Sequence, residues 1–272
     1  MVRFAMPAER IITLTTDFGL DDAYVAVMKA VILGIAPATR LVDISHHVHA
    51  QDVDGAGFLL HSAYRYFPSN TIHLAVVDPG VGTARRPIAV ESSHGYFVGP
   101  DNSIFAPALA HQGALDVSTG SVLDGKAVEL ANDKYRLGPV SRTFHGRDIF
   151  APAAAHLAAG VALSELGPTV DSLEVGGYSV PATTLDTVSG RIVHIDHFGN
   201  AISNIPAKLV ADGSIFGISG RTIPGLAHSY QDAQVVAIVG SNDTVEIAVR
   251  DGSAADVLGL QVGDVLTVRL DR

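Results

Sequence analysis

Five ionisable side chains, Asp17, Asp78, Arg85, Arg86 and His145, are of types and spacing that could act on a small molecule. The stretch HLAVVDPGVGTARRP, residues 73–87, ends an apolar run in a carboxylate, Asp78. A Pro-Gly-Val-Gly turn follows, and then two arginines, Arg85 and Arg86. An acid off a strand end with a guanidinium just beyond the turn can be a loop ion pair, worth about 0–1 kcal/mol at a surface. It can equally be a pair that polarises a bound molecule. The turn lacks the GK[ST] ending of a phosphate loop. His145, in TFHGRDIF, precedes a helical run and offers either a hydrogen-bonded structural imidazole or a base near neutral pH. Asp17, in TTDFG, is either a turn and cap residue or a carboxylate able to take both hydrogens of a ribose cis-diol.

Two further clusters invite chemistry. His46, His47 and His49 in ISHHVHAQD, with Asp52 and Asp54 nearby, suggest a metal. No HExxH pattern or second compact cluster supports one, so a solvated turn with caps is expected and no metal. Asp196-His-Phe-Gly-Asn200 could grip a base by stacking on Phe198 and by the Asn200 amide. It could equally be a turn built on Gly and Asn. Ser241-Asn242 carries the same ambiguity.

The elements around these residues follow a pattern. Ile11–Thr15, Leu41–Ser45 and Thr71–Val77 read as strands. A helix between the first two shows Tyr24, Val27, Met28, Val31, Ile32 and Ile35 on one face, capped by Asp21 or Asp22. A second starts at Asp52. Strand, helix, strand, helix, strand is the βαβ pattern of a parallel sheet, whose ligands collect beyond the carboxyl ends of the strands. Asp17 and Asp78 both lie at such ends. A hairpin is expected over residues 87–98, a short helix near 104–109 and an Ala-rich helix reaching about Ala159. Arg191–Asp196, Ala201–Ile205, Val235–Val239, Thr244–Val249 and Asp264–Leu270 read as short strands of a small β-barrel. The expected organisation is an α/β fold: an N-terminal parallel-sheet α/β domain at 1–170, a linker at 171–188 and a C-terminal β-barrel domain at 189–272.

Composition narrows the function. The formal net charge is -10, from 18 Lys+Arg against 28 Asp+Glu, with no basic run. Nucleic acid and anionic membrane surfaces are therefore poor partners, and a cationic small ligand is tolerated. The absence of cysteine excludes thiolate metal sites, disulfides and thiol nucleophiles. The N-terminal MVRFAMPAER has no apolar core of signal-peptide length, and no run is long enough to span a bilayer, so a cytoplasmic protein is expected.

Five segments, in order, carry a family resemblance: TTDFG (15–19), DPGVGTARR (78–86), GPDNSIF (99–105), TFHGRDIFAP (143–152) and IDHFGNAISNI (195–205). Together they resemble the SAM hydroxide adenosyltransferases, the adenosine-forming S-adenosylmethionine hydrolases, whose relatives are the SAM-dependent fluorinase and chlorinase. The resemblance implies a homotrimer with sites at subunit interfaces, no cofactor, and the conversion of SAM and water to adenosine and L-methionine. It implies that Asp78, Arg85 and His145 prepare the water, with His145 suited to the role of base. Asp17 matches the ribose-binding acid. Asp196, Phe198 and Asn200 match contacts to methionine and adenine, and Asp22 and Ser241 match methionine-binding positions. Three other readings remain beside it: a SAM-dependent halogenase, a non-catalytic SAM or adenosine sensor, and a metallohydrolase built on His46, His47 and His49. A carboxylate such as Asp78 beside a halide is electrostatically unfavourable.

Overall fold

The computed structural model describes residues 10–270; of the N-terminal stretch read for a signal peptide, all but Arg10 lies outside the described residues. The chain divides after Tyr178 into two compact units.

The first unit runs β1 (Ile11–Thr16), α1 (Tyr24–Ile35), β2 (Arg40–Ser45), α2 (Val53–Ala63), β3 (Ile72–Val76), β4 (Pro87–Ser92), β5 (Gly95–Pro100), α3 (Ala106–His111), β6 (Lys126–Glu129), α4 (Ala151–Ala158) and β7 (Thr169–Val170). Its sheet has the order β2-β1-β3-β5-β4-β6-β7. The first four strands of that order are parallel and the remaining pairings antiparallel. The expected parallel sheet is therefore a mixed one. The hairpin at residues 92–95 reverses the chain between β4 and β5, and beyond β4 the strand direction alternates, β6 antiparallel to β4 and β7 antiparallel to β6.

That order positions the site. From β1 the chain moves outward to β2, then crosses to the other side of β1 to lay down β3. The crossing sends α1 and α2 to opposite faces. α1 packs with α4 against one face through Met28, Ile32, Ala154 and Leu157. α2 and α3 cover the other through Ala56, Leu60, Ala108 and Leu109. All five residues of β3 are buried in consequence, which is why Ile72–Val76 is apolar without alternation apart from His73, whose Nδ1 lies 2.9 Å from Thr13 Oγ1. A crevice opens where the strand order reverses, between the carboxyl ends of β1 and β3, and Asp17 and Asp78 follow those ends.

Two local details differ from expectation. Neither Asp21 nor Asp22 caps α1: Ala23 is the capping residue and no side chain bonds the first turn. Its backbone is already helical there (φ -75°, ψ 0°), so the preceding carboxylates do not sit over the free N–H groups. α2 does receive its cap, with Gly55 N–H donating to Asp52 Oδ1 at 2.8 Å. Ahead of α4, residues Gly146–Phe150 form a wider π-type turn, a distortion frequent at functional sites.

The second unit holds β8 (Ala182–Thr183), β9 (Thr187–Ile195), β10 (Ala201–Pro206), β11 (Ile215–Ile218), β12 (Arg221–Pro224), β13 (Leu226–Ala227), β14 (Val235–Val239), β15 (Thr244–Val249), α5 (Ala254–Leu258) and β16 (Val265–Arg269). Its strands pair in the order β12-β11-β16-β9-β10-β15-β14-β13, with β8 on β9. The two end strands, β12 and β13, are separated in sequence by Gly225 alone. The sheet therefore curls back on itself, close to a barrel, around Ile192, Ile205, Phe216, Ile247, Leu266 and Val268.

The stretch 171–188, expected to be a linker, contributes to both units. Val122 N–H donates to Asp171 O at 3.0 Å and Leu173 N–H to Gly120 O at 2.8 Å, while β8 pairs with β9.

Candidate active site

An open cavity of about 390 Å3 lies at the carboxyl edge of β1 and β3, lined by Asp17, Phe18, Tyr24, Gln51, Val76, Asp78, Pro79, Val81 and residues 143–146. Its walls come from the loops after β1, β2 and β3 and from the segment entering α4. Phe18, Tyr24 and Phe144 form an aromatic corner, with ring centroids 5.1–6.0 Å apart. Gly146 allows that corner to close: a Cβ there would stand 3.2 Å from Phe144 and 3.4 Å from Phe18.

Asp78, Arg85 and His145 meet at this wall. Arg85 Nε donates to Asp78 Oδ1 at 3.1 Å, and Arg85 Nη2 donates to Asp78 Oδ2. The same Nη2 lies 3.0 Å from His145 Nδ1. The ion pair is deep: the side chains of Arg85 and Asp78 are 7% and 6% exposed. Arg85 is not a lining residue; it stands behind Asp78 and His145, with its guanidinium carbon 5.2 Å from the Phe150 ring centre. Its Nη1 is buried without a hydrogen-bond partner, and the cation–π contact offsets part of that cost. Burial pushes the Asp78 carboxyl above its ordinary value, against the opposing pull of Arg85. Burial and then the Arg85 charge hold His145 below its ordinary value, which favours the neutral imidazole.

Neighbouring residues hold these groups in place. Asn102 Nδ2 donates to Val77 O at 2.9 Å and so fixes the carbonyl immediately before Asp78. Arg86 does not reach the cavity. It pairs with the buried Asp101 at 2.5 Å and donates to Ser172 O at 2.9 Å, while Asp101 Oδ1 accepts from Glu174 N–H. The GPDNS segment is thus a clamp on the loop that carries Asp78. Gly82 lets that loop touch the one bearing His145: its φ is +76°, and a Cβ would lie 2.5 Å from Arg142 O. Asp148, buried below the π-type turn, accepts from Ser141 N–H at 2.7 Å and from Arg147 Nε at 2.6 Å.

Asp17 lines the cavity, and its Oδ2 accepts from Gln51 N–H at 2.8 Å. Gln51 holds φ at +67°, an uncommon conformation for a residue other than glycine, and this strained backbone sits at the cavity wall. Gly19 N–H donates to His46 O at 2.8 Å, joining the loops after β1 and β2. His46 is buried, with Nδ1 2.8 Å from Thr16 Oγ1 and Nε2 3.0 Å from Asp43 Oδ1. His47 and His49 point outward. The three histidines therefore do not converge, and among the described residues no three His, Cys, Asp or Glu side chains group to hold a metal ion.

Of the remaining sequence-predicted site residues, Asp22 belongs to the first unit and Asp196, Phe198, Asn200 and Ser241 to the second. Asp22 is exposed and does not line the cavity. In the second unit, Asp196 Oδ1 accepts from the N–H groups of Phe198 and Asn200, each at 2.9 Å, and its Oδ2 accepts from Asn200 Nδ2 at 2.9 Å. Asp196 and Asn200 thus build a rigid turn that displays Phe198, 74% exposed. Ser241 sits at the β14–β15 turn. The β10–β15 register, Ala201 opposite Ile247 and Pro206 opposite Thr244, places that turn at the far end of β10 from Asp196. Sequence reasoning missed Glu246, a buried carboxylate that accepts from Tyr230 OH at 2.5 Å; that contact with burial lifts the Tyr230 phenol to about 12.

Two family models cover most of the chain: the SAM hydroxide adenosyltransferase N-terminal domain matches residues 12–167 and the C-terminal domain residues 190–267. The chain belongs to the SAM hydroxide adenosyltransferase family. Within it, the chain is similar to the (R)-S-adenosyl-L-methionine hydrolase of Salinispora tropica, 39% identical over 268 residues, covering 94% of this chain and 97% of that one. The hydrolase of the same name from Thermus thermophilus is 38% identical over 262 residues, with the same coverage. A fluorinase from Actinoplanes sp. is more distant, 26% identical over 306 residues, covering 97% and 99%. Among solved structures, an uncharacterized conserved protein from Thermotoga maritima superposes with a TM-score of 0.85 at 34% identity, covering 95% of this chain and 99% of that one.

Proposed function

We propose that this family member hydrolyses S-adenosyl-L-methionine to adenosine and L-methionine, by attack of an activated water on the ribose 5′ carbon. The observation that carries the reading is the hydrogen-bonded chain from Asp78 through Arg85 to His145 at the wall of an open cavity. The hydrolase names borne by relatives 37–39% identical over most of their length support it. The substrate fits the chemistry available. Its leaving group departs as a neutral thioether, so no acid is needed to protonate it. The protein must align the water with the breaking C–S bond and polarise it, and alignment alone is worth several kcal/mol. Asp78 and His145 face the space where the water would lie, and Asp17 offers its Oδ1 to the ribose hydroxyls.

Asp22, Asp196, Phe198, Asn200 and Ser241 are proposed as contacts to the methionine and adenine ends. We assign them to a homotrimeric, cytoplasmic enzyme whose C-terminal unit is a closed barrel facing a neighbouring subunit. No cofactor takes part in this scheme. Among the described residues no helix is long and apolar enough to cross a membrane.

The test is incubation with SAM and chromatography of the products. Adenosine and methionine in equal amounts, with no halogenated nucleoside when chloride or fluoride is added, is the expected result. SAM that binds but is recovered unchanged contradicts the reading in favour of a sensor.

A further inference from the structure

We infer that Asp78, and not His145, takes the proton from the attacking water, and that His145 holds that water by donating from Nε2. The inference rests on the hydrolase reading and assigns roles within its site. It follows from one shared guanidinium nitrogen. Arg85 Nη2 carries two hydrogens; one goes to Asp78 Oδ2 and the other to His145 Nδ1, 3.0 Å away. Arginine has no acceptor and stays protonated in proteins. His145 Nδ1 must therefore present a lone pair, and the single ring proton of the neutral imidazole is on Nε2. Nε2 makes no hydrogen bond to the described residues, and His145 lines the cavity while Arg85 lies behind it. What His145 offers the cavity is an N–H donor. Its basic lone pair faces away, engaged by a cation.

Asp78 has the complementary character. Arg85 uses one lone pair on each carboxylate oxygen, and a carboxylate has about four acceptor sites in all. Asp78 lines the same cavity, so an acceptor and a donor flank the space where a water would sit. In the step, a lone pair of the water oxygen forms the bond to the ribose 5′ carbon. The carbon–sulfur bond breaks with its electron pair passing to sulfur, which becomes a neutral thioether. The proton leaving the water passes to Asp78 and then to solvent, which balances the loss of the sulfonium charge. Arg85 touches neither water nor substrate in this scheme. It is a positioning residue that fixes the Asp78 carboxylate and the His145 tautomer together.

The direct test is the tautomer of His145 in the full-length wild-type protein, selectively labelled with nitrogen-15 histidine and observed by multiple-bond proton–nitrogen correlation at pH 7.5. The expected pattern is an unprotonated Nδ1 and a protonated Nε2; a proton on Nδ1 overturns the inference, and neither result depends on turnover. The second test compares variants whose folding is verified by thermal unfolding. His145→Gln supplies a carbonyl for Arg85 and an N–H for the water, and should keep activity within about tenfold of wild type. Asp78→Asn should fall by at least a hundredfold, within the range of a lost general base. Arg85→Lys should lower kcat while leaving KM near its original value. If His145→Gln is as inactive as His145→Ala while Asp78→Asn retains turnover, the roles are reversed. If wild-type protein leaves SAM intact, the hydrolase reading fails, while the tautomer result still decides the hydrogen-bond assignment.

Discussion

Burial moves Asp78 and His145 in opposite directions, the carboxyl up and the imidazole down, while the Arg85 charge pulls both down. For His145 the neutral form is favoured: burial and the charges of Arg85 and Arg136 hold its value down, against the pull of Asp78 and Asp148. As pH falls below the ordinary imidazole range, Nδ1 gains a proton and can no longer accept from Arg85. The free-enzyme profile of kcat/KM should therefore fall on the acid side, with its midpoint below the ordinary histidine value of 6.5. A midpoint above 6.5, measured at several SAM concentrations, contradicts this environment for His145. A second prediction at this scale concerns Gln51. Its φ of +67° suits glycine, so Gln51→Gly should unfold at no lower temperature and keep the Asp17 contact. The β-branched Gln51→Val should lose about 1–3 kcal/mol, because the left-handed region is strained for it. Equal melting temperatures for the two variants would remove the claim of strain.

At the scale of elements, the site depends on two loops that touch. Gly82 brings the loop after β3 against Arg142 O, three residues before His145. Gly82→Ala should drive these loops apart, lowering kcat by at least tenfold with a smaller change in the SAM dissociation constant; stopped-time assays and calorimetry separate the two. Asn102→Ala frees the Val77 carbonyl and should cost about 1 kcal/mol in urea unfolding. Part of this arrangement was legible in the sequence. Apolar runs that stop at Asp17 and Asp78 mark strand ends, and the βαβ order predicts that those ends share an edge. Other parts were not legible. The β4–β5 hairpin was legible, but a strand's direction past a hairpin is decided by its neighbour in space, so the antiparallel pairings of β6 and β7 could not be read from periodicity. The β11–β12 hairpin was overlooked although Ser219-Gly220 between IFGI and RTIP is a two-residue turn signal; both residues adopt positive φ. That Arg85 lies behind the wall while Arg86 clamps Asp101 follows from contacts 60 and 15 residues apart in sequence, which no local pattern encodes.

For the whole molecule, buried histidines set the response to acid. Burial holds His73 at about 3 and His61 at about 4. Between these values and 6.5 the unfolded chain binds protons that the folded chain does not, so stability falls as pH falls, by up to about 1.4 kcal/mol per pH unit for each histidine. The carboxyls of Asp78, Asp101 and Glu246 are raised by burial and act with the opposite sign, between their raised values and the ordinary carboxylate values of 3.8 and 4.5. The urea midpoint should therefore be lower at pH 5 than at pH 7, and less so in His73→Gln; an unchanged midpoint in wild type contradicts the burial of these rings. The proposed homotrimer predicts a mass near three times 28.3 kDa by sedimentation equilibrium, and Phe198→Asp should leave each unit folded while weakening either assembly or SAM affinity. The central claim, that water attacks the ribose carbon of SAM, is tested most directly by turnover in oxygen-18 water followed by mass spectrometry of both products. The account predicts adenosine carrying one heavy oxygen at its 5′ position beside unlabelled methionine. Unlabelled adenosine, or a nucleoside bearing halogen in its place, would contradict it.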